Sequence, residues 1–327
     1  MGKNKKFRDH TCPVIYLKGF ARLNDAYVHN RHRSPRRSDY FVYAHDKKKQ
    51  GSIKPYSVND ICVRKGFYSR GVEKTLNKIE NRVQWELNKF RHVKGGGFDI
   101  DISKIFNFLT FQVIRTPKFR KKLKRDLLFF KGLPDDEFQQ QYGIFLVKKP
   151  EDVTDETVKD VHEGMITNNL LNGTKIYESA RISVVSNLTG IPFMTSDAPA
   201  VYSNIHFLPA NLNGNIHPLL IISKPGLLFM PLSPNHAVTI NIDVHEREKM
   251  EATSEIISDP NFVMKSNMIT YQCADRFVIM NNNDKTQIDR VKSTCNGTYD
   301  IEYKCISEFH EAMKKKLDLK EELKSTA

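Results

Sequence analysis

The chain has 327 residues, 39% of them hydrophobic and 27% charged, a balance that suits one large folded domain or two ordinary ones and excludes a disordered or fibrous class. No run approaches the ~18 apolar residues of a membrane span, and the basic start "MGKNKKFRDH" has neither the apolar stretch of a secretory signal nor a myristoylation motif, so the expected location is cytoplasmic, with no membrane partner. Fifty-one Lys and Arg against thirty-eight Asp and Glu leave a charge of +13, which attracts polyanions such as nucleic acid.

That surplus is clustered in "HNRHRSPRR" (His29–Arg37), "HDKKK" (His45–Lys49) and "RTPKFRKKLKR" (Arg115–Arg125). Arg33, Arg36, Arg37, Lys121 and Lys122 are therefore the candidate contacts to a phosphate backbone. The five cysteines form no C-x-x-C pair, which speaks for reduced thiols rather than a disulfide framework or a structural zinc site.

In chain order, "CPVIYLKGF" and "DYFVYAHD" are β-favouring runs flanking a basic loop. From Val72 the period changes: Val72, Leu76, Ile79, Val83 and Leu87 predict an amphipathic helix of about twenty residues, ended by the glycines at 95–97. Ser103 is the expected N-cap of a core helix, "KIFNFLTFQVIR", and Thr116-Pro117 predicts a kink or restart before the basic helix "KFRKKLKRDLLFF". "VKDVHEGMITNNLLNGTKIYESA" reads as a helix and a turn at Asn172-Gly173. Then come the strand runs "RISVVSN", "PFMTSD", "LLIIS", "LLFMPLS" and "HAVTINI", and "SEFHEAMKKKLDLKEELK" closes the chain as a charged helix. The expected fold is α+β: a helical N-terminal half (helix-rich over 60–175) packed on a mostly antiparallel sheet (strand-rich over 176–285), one domain over 1–285, with a C-terminal helical extension over 286–327.

Candidate chemistry is scattered. Gln112 and Arg115, at i and i+3 on an apolar helix, demand polar partners or else mark a helix end whose Arg reaches water. Glu73 and Glu80, seven residues apart, superpose on one helical face and suit either a divalent cation, Mg2+ or Mn2+, or a pairing with Arg115. His10, beside the first strand, suits a general base or a phosphate contact, whereas His29 and His32 are too loosely spaced for zinc. In the tail, Asp289 or Asp300 followed by Glu302 and Lys304 fits a permissive metal-nuclease pattern. No phosphate-binding loop, dinucleotide fingerprint or G-x-S-x-G elbow occurs.

The ordered segments "HTCPVIYLKGF", "IENRVQWEL", "FNFLTFQVIRTPKFR", "FMTSDAPAV", "FMPLSPN" and "SNMITYQCADRFVIMNN" resemble the bacterial domain-of-unknown-function family 4238, across about residues 10–282. The resemblance implies that the family's recurring polar positions fall on His10, Glu80, Gln112, Arg115, Thr116, Ser196, Asp197, Pro199, Pro231, Ser233 and Asn267. It also implies a defence or toxin-type effector, often a nuclease. The expectation is a nuclease, acting on RNA rather than DNA, with His10, Glu80, Gln112, Arg115 and Asp197 catalytic, Glu80 and Asp197 holding any metal, and Ser196 and Asn267 touching substrate. The alternatives are a nucleic-acid-binding protein without catalysis and a hydrolase of a small phosphorylated metabolite.

Overall fold

A computed structural model of the chain describes residues 8–24, 35–49, 52–92, 101–142, 150–168, 180–212, 215–242 and 251–295. The elements of the first half are β1 (Arg8–His10), α1 (Val14–Leu17), β2 (Arg22–Leu23), β3 (Tyr40–Asp46), β4 (Lys54–Ser57), β5 (Val63–Lys65), α2 (Arg70–His92), α3 (Ile102–Ile114), α4 (Pro117–Gly132), α5 (Asp135–Tyr142) and α6 (Asp155–Thr167). The second half adds β6 (Ala180–Asn187), β7 (Thr195–Ser196), β8 (Val201–Leu212), β9 (Asn215–Ser233), β10 (His236–Ile242), β11 (Glu251–Ile257), α7 (Pro260–Cys273), β12 (Phe277–Met280) and α8 (Lys285–Thr294). The fold is α+β.

Helix α2 forms where the aliphatic period predicts it. Val72, Leu76, Val83 and Leu87 are all buried, and the stripe they make docks on α3 and α6. Helix α3 is apolar nearly all round because α2, α4 and α6 enclose it. Its N-cap is Asp101, whose side chain accepts from the Lys104 N–H at 3.2 Å, and not Ser103, which lies inside the first turn and donates to Asp101. Thr116-Pro117 is a restart: the Thr116 hydroxyl accepts the Phe119 N–H at 3.1 Å and Pro117 occupies the first turn of α4, where a missing N–H costs nothing.

The run "CPVIYLKGF" is a correction. It holds the short helix α1, not a strand, because an apolar run of this length has no period that separates a strand from a buried helical turn, and the Pro13 carbonyl accepts the N–H groups of Tyr16 and Leu17. Gly19 lets α1 lie against β9: a Cβ there would sit 2.3 Å from the Leu232 carbonyl oxygen. Buried Tyr16 then reaches across the chain, its hydroxyl 2.5 Å from Thr195 Oγ1 and 2.6 Å from the Pro231 carbonyl.

One five-stranded sheet has the order β11-β6-β10-β9-β8, antiparallel except for the β11–β6 pair. A second runs β2-β3-β12-β7, with β4 on the side of β3, and β1 pairs with β5 alone. The helical and strand-rich halves of the sequence are thus mixed in space, since β3 pairs with β12 from the far end of the chain. "LLIIS" and "LLFMPLS" belong to one long strand, β9, while β8 and β11 are strands the alternation did not reveal. At the C-terminus of α7, Lys47 Nζ donates to the carbonyls of Tyr271 and Ala274, and Lys118 Nζ to that of Cys273. Helix α8 starts where the extension was expected, yet Ile288 and Val291 pack with Met194, Val278 and Met280. The later charged helix and the turn at Asn172-Gly173 lie outside the described residues.

Within α4 the basic face is not uniformly at the surface. Lys122 is 2% exposed and pairs with the equally buried Asp126 at 2.6 Å, so its expected contact with a phosphate backbone is corrected to a structural ion pair. Burial pushes the Asp126 carboxyl upward, with Lys122 opposing, and Asp126 Oδ1 has no partner. Breaking such a pair from one side leaves an uncompensated charge and costs about 3–5 kcal/mol, whereas apolar replacement of both partners is close to neutral. We expect Lys122→Ala to lower the urea midpoint strongly and the double change Lys122→Met with Asp126→Leu to recover most of the loss.

Candidate functional site

Arg115 is the C-cap of α3, and its guanidinium is the meeting point of three segments. Nη1 donates to Glu80 Oε1 on α2 at 2.9 Å, and Nη2 donates to the His10 carbonyl at the end of β1 at 2.5 Å. The backbone carbonyl of Arg115 accepts the Tyr68 hydroxyl. The side chain is 2% exposed against 17% for Glu80, so the helix-end reading in which Arg115 reaches water does not hold. Burial works against the cation, but Glu80 beside it, together with Tyr68 and Cys12, holds the guanidinium above its ordinary range.

Polar groups gather around this pair without full partners. Asp9 is completely buried; its Oδ2 accepts the Tyr68 N–H at 3.0 Å and its Oδ1 has no partner. Glu73 Oε1, Arg115 Nε and both amide atoms of buried Gln112 are also unpartnered. Of the ten buried side-chain atoms without a hydrogen bond among the described residues, five belong to these four residues. Native interiors leave few polar atoms in that state, so the concentration points to a place built for a ligand.

Electrostatics sharpen the site. Burial pushes the Glu73 carboxyl up to about 7; Arg115 pulls it back, while Asp9 and Glu80 add to the rise. His10 is half-buried and moves the other way: burial lowers it below its ordinary value, against the Asn59 carbonyl and Glu80. Because a carbonyl can only accept, Nε2 carries the hydrogen toward Asn59 at 3.1 Å and Nδ1 keeps its lone pair. Behind Tyr68, buried His162 bonds the Ile114 carbonyl through Nε2 and accepts from Arg120 Nε at 2.9 Å; burial and Arg120 hold it down to about 3. It is a neutral structural histidine.

The structure thus joins Arg115 to Glu80 by side chain and to His10 through its main-chain carbonyl, places Gln112 one turn from Arg115 on the same helix, and adds Asp9, Glu73 and Tyr68. The sequence signal for Asp9 was its place beside His10 in a short strand, which turns it inward; Tyr68 carried no signal of its own.

Other candidates lie elsewhere. Asp197 closes the turn after α7, its two oxygens accepting the N–H groups of Asp275 and Arg276 at 2.9 Å each, and burial with Asp275 pushes it up to about 6. No hydrogen bond joins it to Glu80 or Arg115 among the described residues, and the expected Glu80–Asp197 metal pair is not assembled by these contacts. The Ser196 hydroxyl is bound within its own turn to Ala198, and Asn267 braces the backbone of Pro192 and Met194. Both side chains act as internal braces, and no contact joins them to the Arg115 site among the described residues. Lys121 is exposed and ion-paired with Asp275, which Arg64 also holds. Arg36 is exposed, Asp289 lies on the exposed face of α8, and no group of three or more His, Cys, Asp or Glu placed to hold a metal occurs among the described residues. Arg33, His29, His32, Asp300, Glu302, Lys304 and the side chain of Arg37 lie outside what the structure describes.

These features define an α+β protein with a buried, incompletely partnered polar site where β1, α2 and α3 meet. The chain matches, over residues 8–284, the family described as Protein of unknown function (DUF4238), and it belongs to that family. No curated protein and no solved structure matches it.

The Glu73 shift fixes a pH dependence. Its folded value, about 7, lies above the ordinary 4.5, so between those limits the folded state holds a proton that the unfolded state has released. Stability contributed by this group is full below the lower limit and is lost as pH rises through the upper one. Urea midpoints across pH 4.5–8 are expected to fall more for wild type than for Glu73→Gln, the difference accruing over that window.

Proposed function

We propose that the chain is a phosphodiester-cleaving enzyme acting on RNA by attack of the 2′-hydroxyl. The observation that carries this reading is a buried guanidinium with an unpartnered Nε, acting electrostatically both on a carboxyl that titrates near neutrality and on the neutral imidazole of His10, whose main-chain carbonyl it also holds. His10 Nδ1 takes the proton of the 2′-hydroxyl, and the resulting oxygen attacks phosphorus. Glu73, still carrying its proton near neutral pH, gives it to the departing 5′-oxygen, and the products are a 2′,3′-cyclic phosphate and a free 5′-hydroxyl. Arg115 Nε donates to a non-bridging oxygen as charge builds there. The positive charge of the chain favours approach of a polyanion, and such an enzyme fits the defence or toxin-type effector that the family resemblance implies.

This route is favoured over one using Mg2+ or Mn2+ because Asp197 spends both oxygens on backbone N–H groups. Purified protein should cut RNA but not DNA, with EDTA making no difference. His10→Ala, at a half-buried position, should lose roughly 100-fold or more of the rate while circular dichroism stays that of wild type. The rate of wild type should climb as His10 loses its proton and fall above about pH 7 as Glu73 loses its own, the falling limb vanishing in Glu73→Gln. Equal cleavage of DNA and RNA, or no cleavage of either, sinks the proposal.

A further inference from the structure

Lys78 and Arg82 stand two residues before and after Glu80 on α2, which sets them about 160° around the helix from the Arg115 site. There a cleft of about 330 Å³ opens between α2, α3 and α6, at the small end of the range for pockets that enclose small molecules. Lys78 and Arg82 line it together with Lys104 of α3. Its apolar wall is Ile79, Val83, Phe111 and Ile166, the last three buried.

The cations are unequal. Lys104 is paired with Asp101 at 2.9 Å, so its charge is largely spoken for. Lys78 and Arg82 are exposed, and neither has an ion pair or hydrogen bond among the described residues. Like charges at i and i+4 on a helix repel by a few tenths of a kcal/mol, and no carboxylate lines the cleft to relieve them. An ordinary solvated helix face carries such a pair over open water. Here it stands at the edge of a half-open cleft with a largely buried aromatic wall.

The hydroxyls of the cleft are already committed as donors. Thr75 Oγ1 donates to the Gly71 carbonyl at 3.2 Å and Thr167 Oγ1 to that of Glu163 at 2.8 Å. What they have left for a ligand is acceptor capacity, which suits an amino group.

From the uncommitted cation pair above an apolar, acceptor-edged cleft, we infer that this second site binds a nucleotide unit, with its phosphate on Lys78 and Arg82 and an amino-bearing base, such as adenine, against Ile79 and Phe111. The unit comes either from a free mononucleotide or from one residue of a nucleic-acid strand. The inference does not rest on catalysis at Arg115.

Isothermal titration of the full chain with AMP, adenosine, ribose 5-phosphate, UMP and a short oligodeoxyadenylate tests it, since the last lacks the 2′-hydroxyl and survives the proposed cleavage. AMP should bind roughly tenfold or more tightly than adenosine, ribose 5-phosphate or UMP if the source is a free nucleotide. If the source is a strand, the oligodeoxyadenylate should bind and AMP only weakly. In either case Lys78→Ala with Arg82→Ala, both exposed and so neutral to the fold by circular dichroism, should weaken the bound species by roughly tenfold or more, while His10→Ala leaves it unchanged. Binding that is indifferent to the double variant, ribose 5-phosphate binding as tightly as AMP, or no binding of either AMP or the oligodeoxyadenylate overturns the site. RNA cleavage by wild type is scored separately, so that loss of one proposal leaves the other standing.

Discussion

Burying a guanidinium without compensation is among the most expensive things a fold can do, and the N-terminal half of this protein is arranged around avoiding that cost at Arg115. The compensation comes from sequence-distant groups: a carboxylate on α2 and a main-chain carbonyl at the end of β1. Supplying both forces β1 onto the α2–α3 pair. Tyr68 locks the same junction twice, with its hydroxyl on the Arg115 carbonyl and its N–H on Asp9. One charge therefore sets the relative placement of a strand, the entry to α2 and the exit from α3. Glu80 and the His10 carbonyl satisfy two of the guanidinium nitrogens, and the third is left without a partner.

The strand-rich half is braced by different means, in which polar side chains substitute for missing backbone partners. Asp197 closes the turn that leads into β12, Asn267 holds the chain entering β7, and Lys47 and Lys118 cap the carbonyls that end α7. Tyr16 then ties α1 to both β7 and β9 through a single hydroxyl. These groups are buried and polar like those of the Arg115 site. They differ in that nearly every atom is satisfied, and that difference separates brace from site.

How much of this was legible depended on the range of the interaction. The α2 stripe, the Thr116-Pro117 restart and β6, β10 and β3 are local patterns, and they were readable because their causes lie within a few residues. The α+β class followed from their sum. Helix α1 was misread because its conformation is decided by Pro13 and by docking on β9, not by its own period. Strands β8 and β11 were missed because their alternation is interrupted by polar residues that pairing, not burial, tolerates. In the site, the demand of Arg115 for partners was visible in the sequence, and Glu80 was named as one. "TSDAP" carried equally polar residues, and nothing local distinguishes an aspartate that closes a turn from one that joins a site. Lys122 shows the same limit for charge: a basic run marks a basic helix, but only packing decides which lysine is turned inward.

A single physical cause gives the Arg115 site its chemical character. Burial disfavours charge of either sign, so it raises the carboxyl of Glu73 and lowers the imidazole of His10 at once. Near neutral pH one group keeps its proton and the other lacks one, the distribution that acid–base chemistry requires. Arg115 and Glu80 cancel as a pair, so the site can be dehydrated without a large net charge. An entering phosphate would change that balance in one direction only, because its negative charge favours the protonated form of both Glu73 and His10. In the proposed reaction the substrate therefore secures the proton on the acid while drawing the base toward the imidazolium it must become, and the stabilisation grows as charge builds on phosphorus.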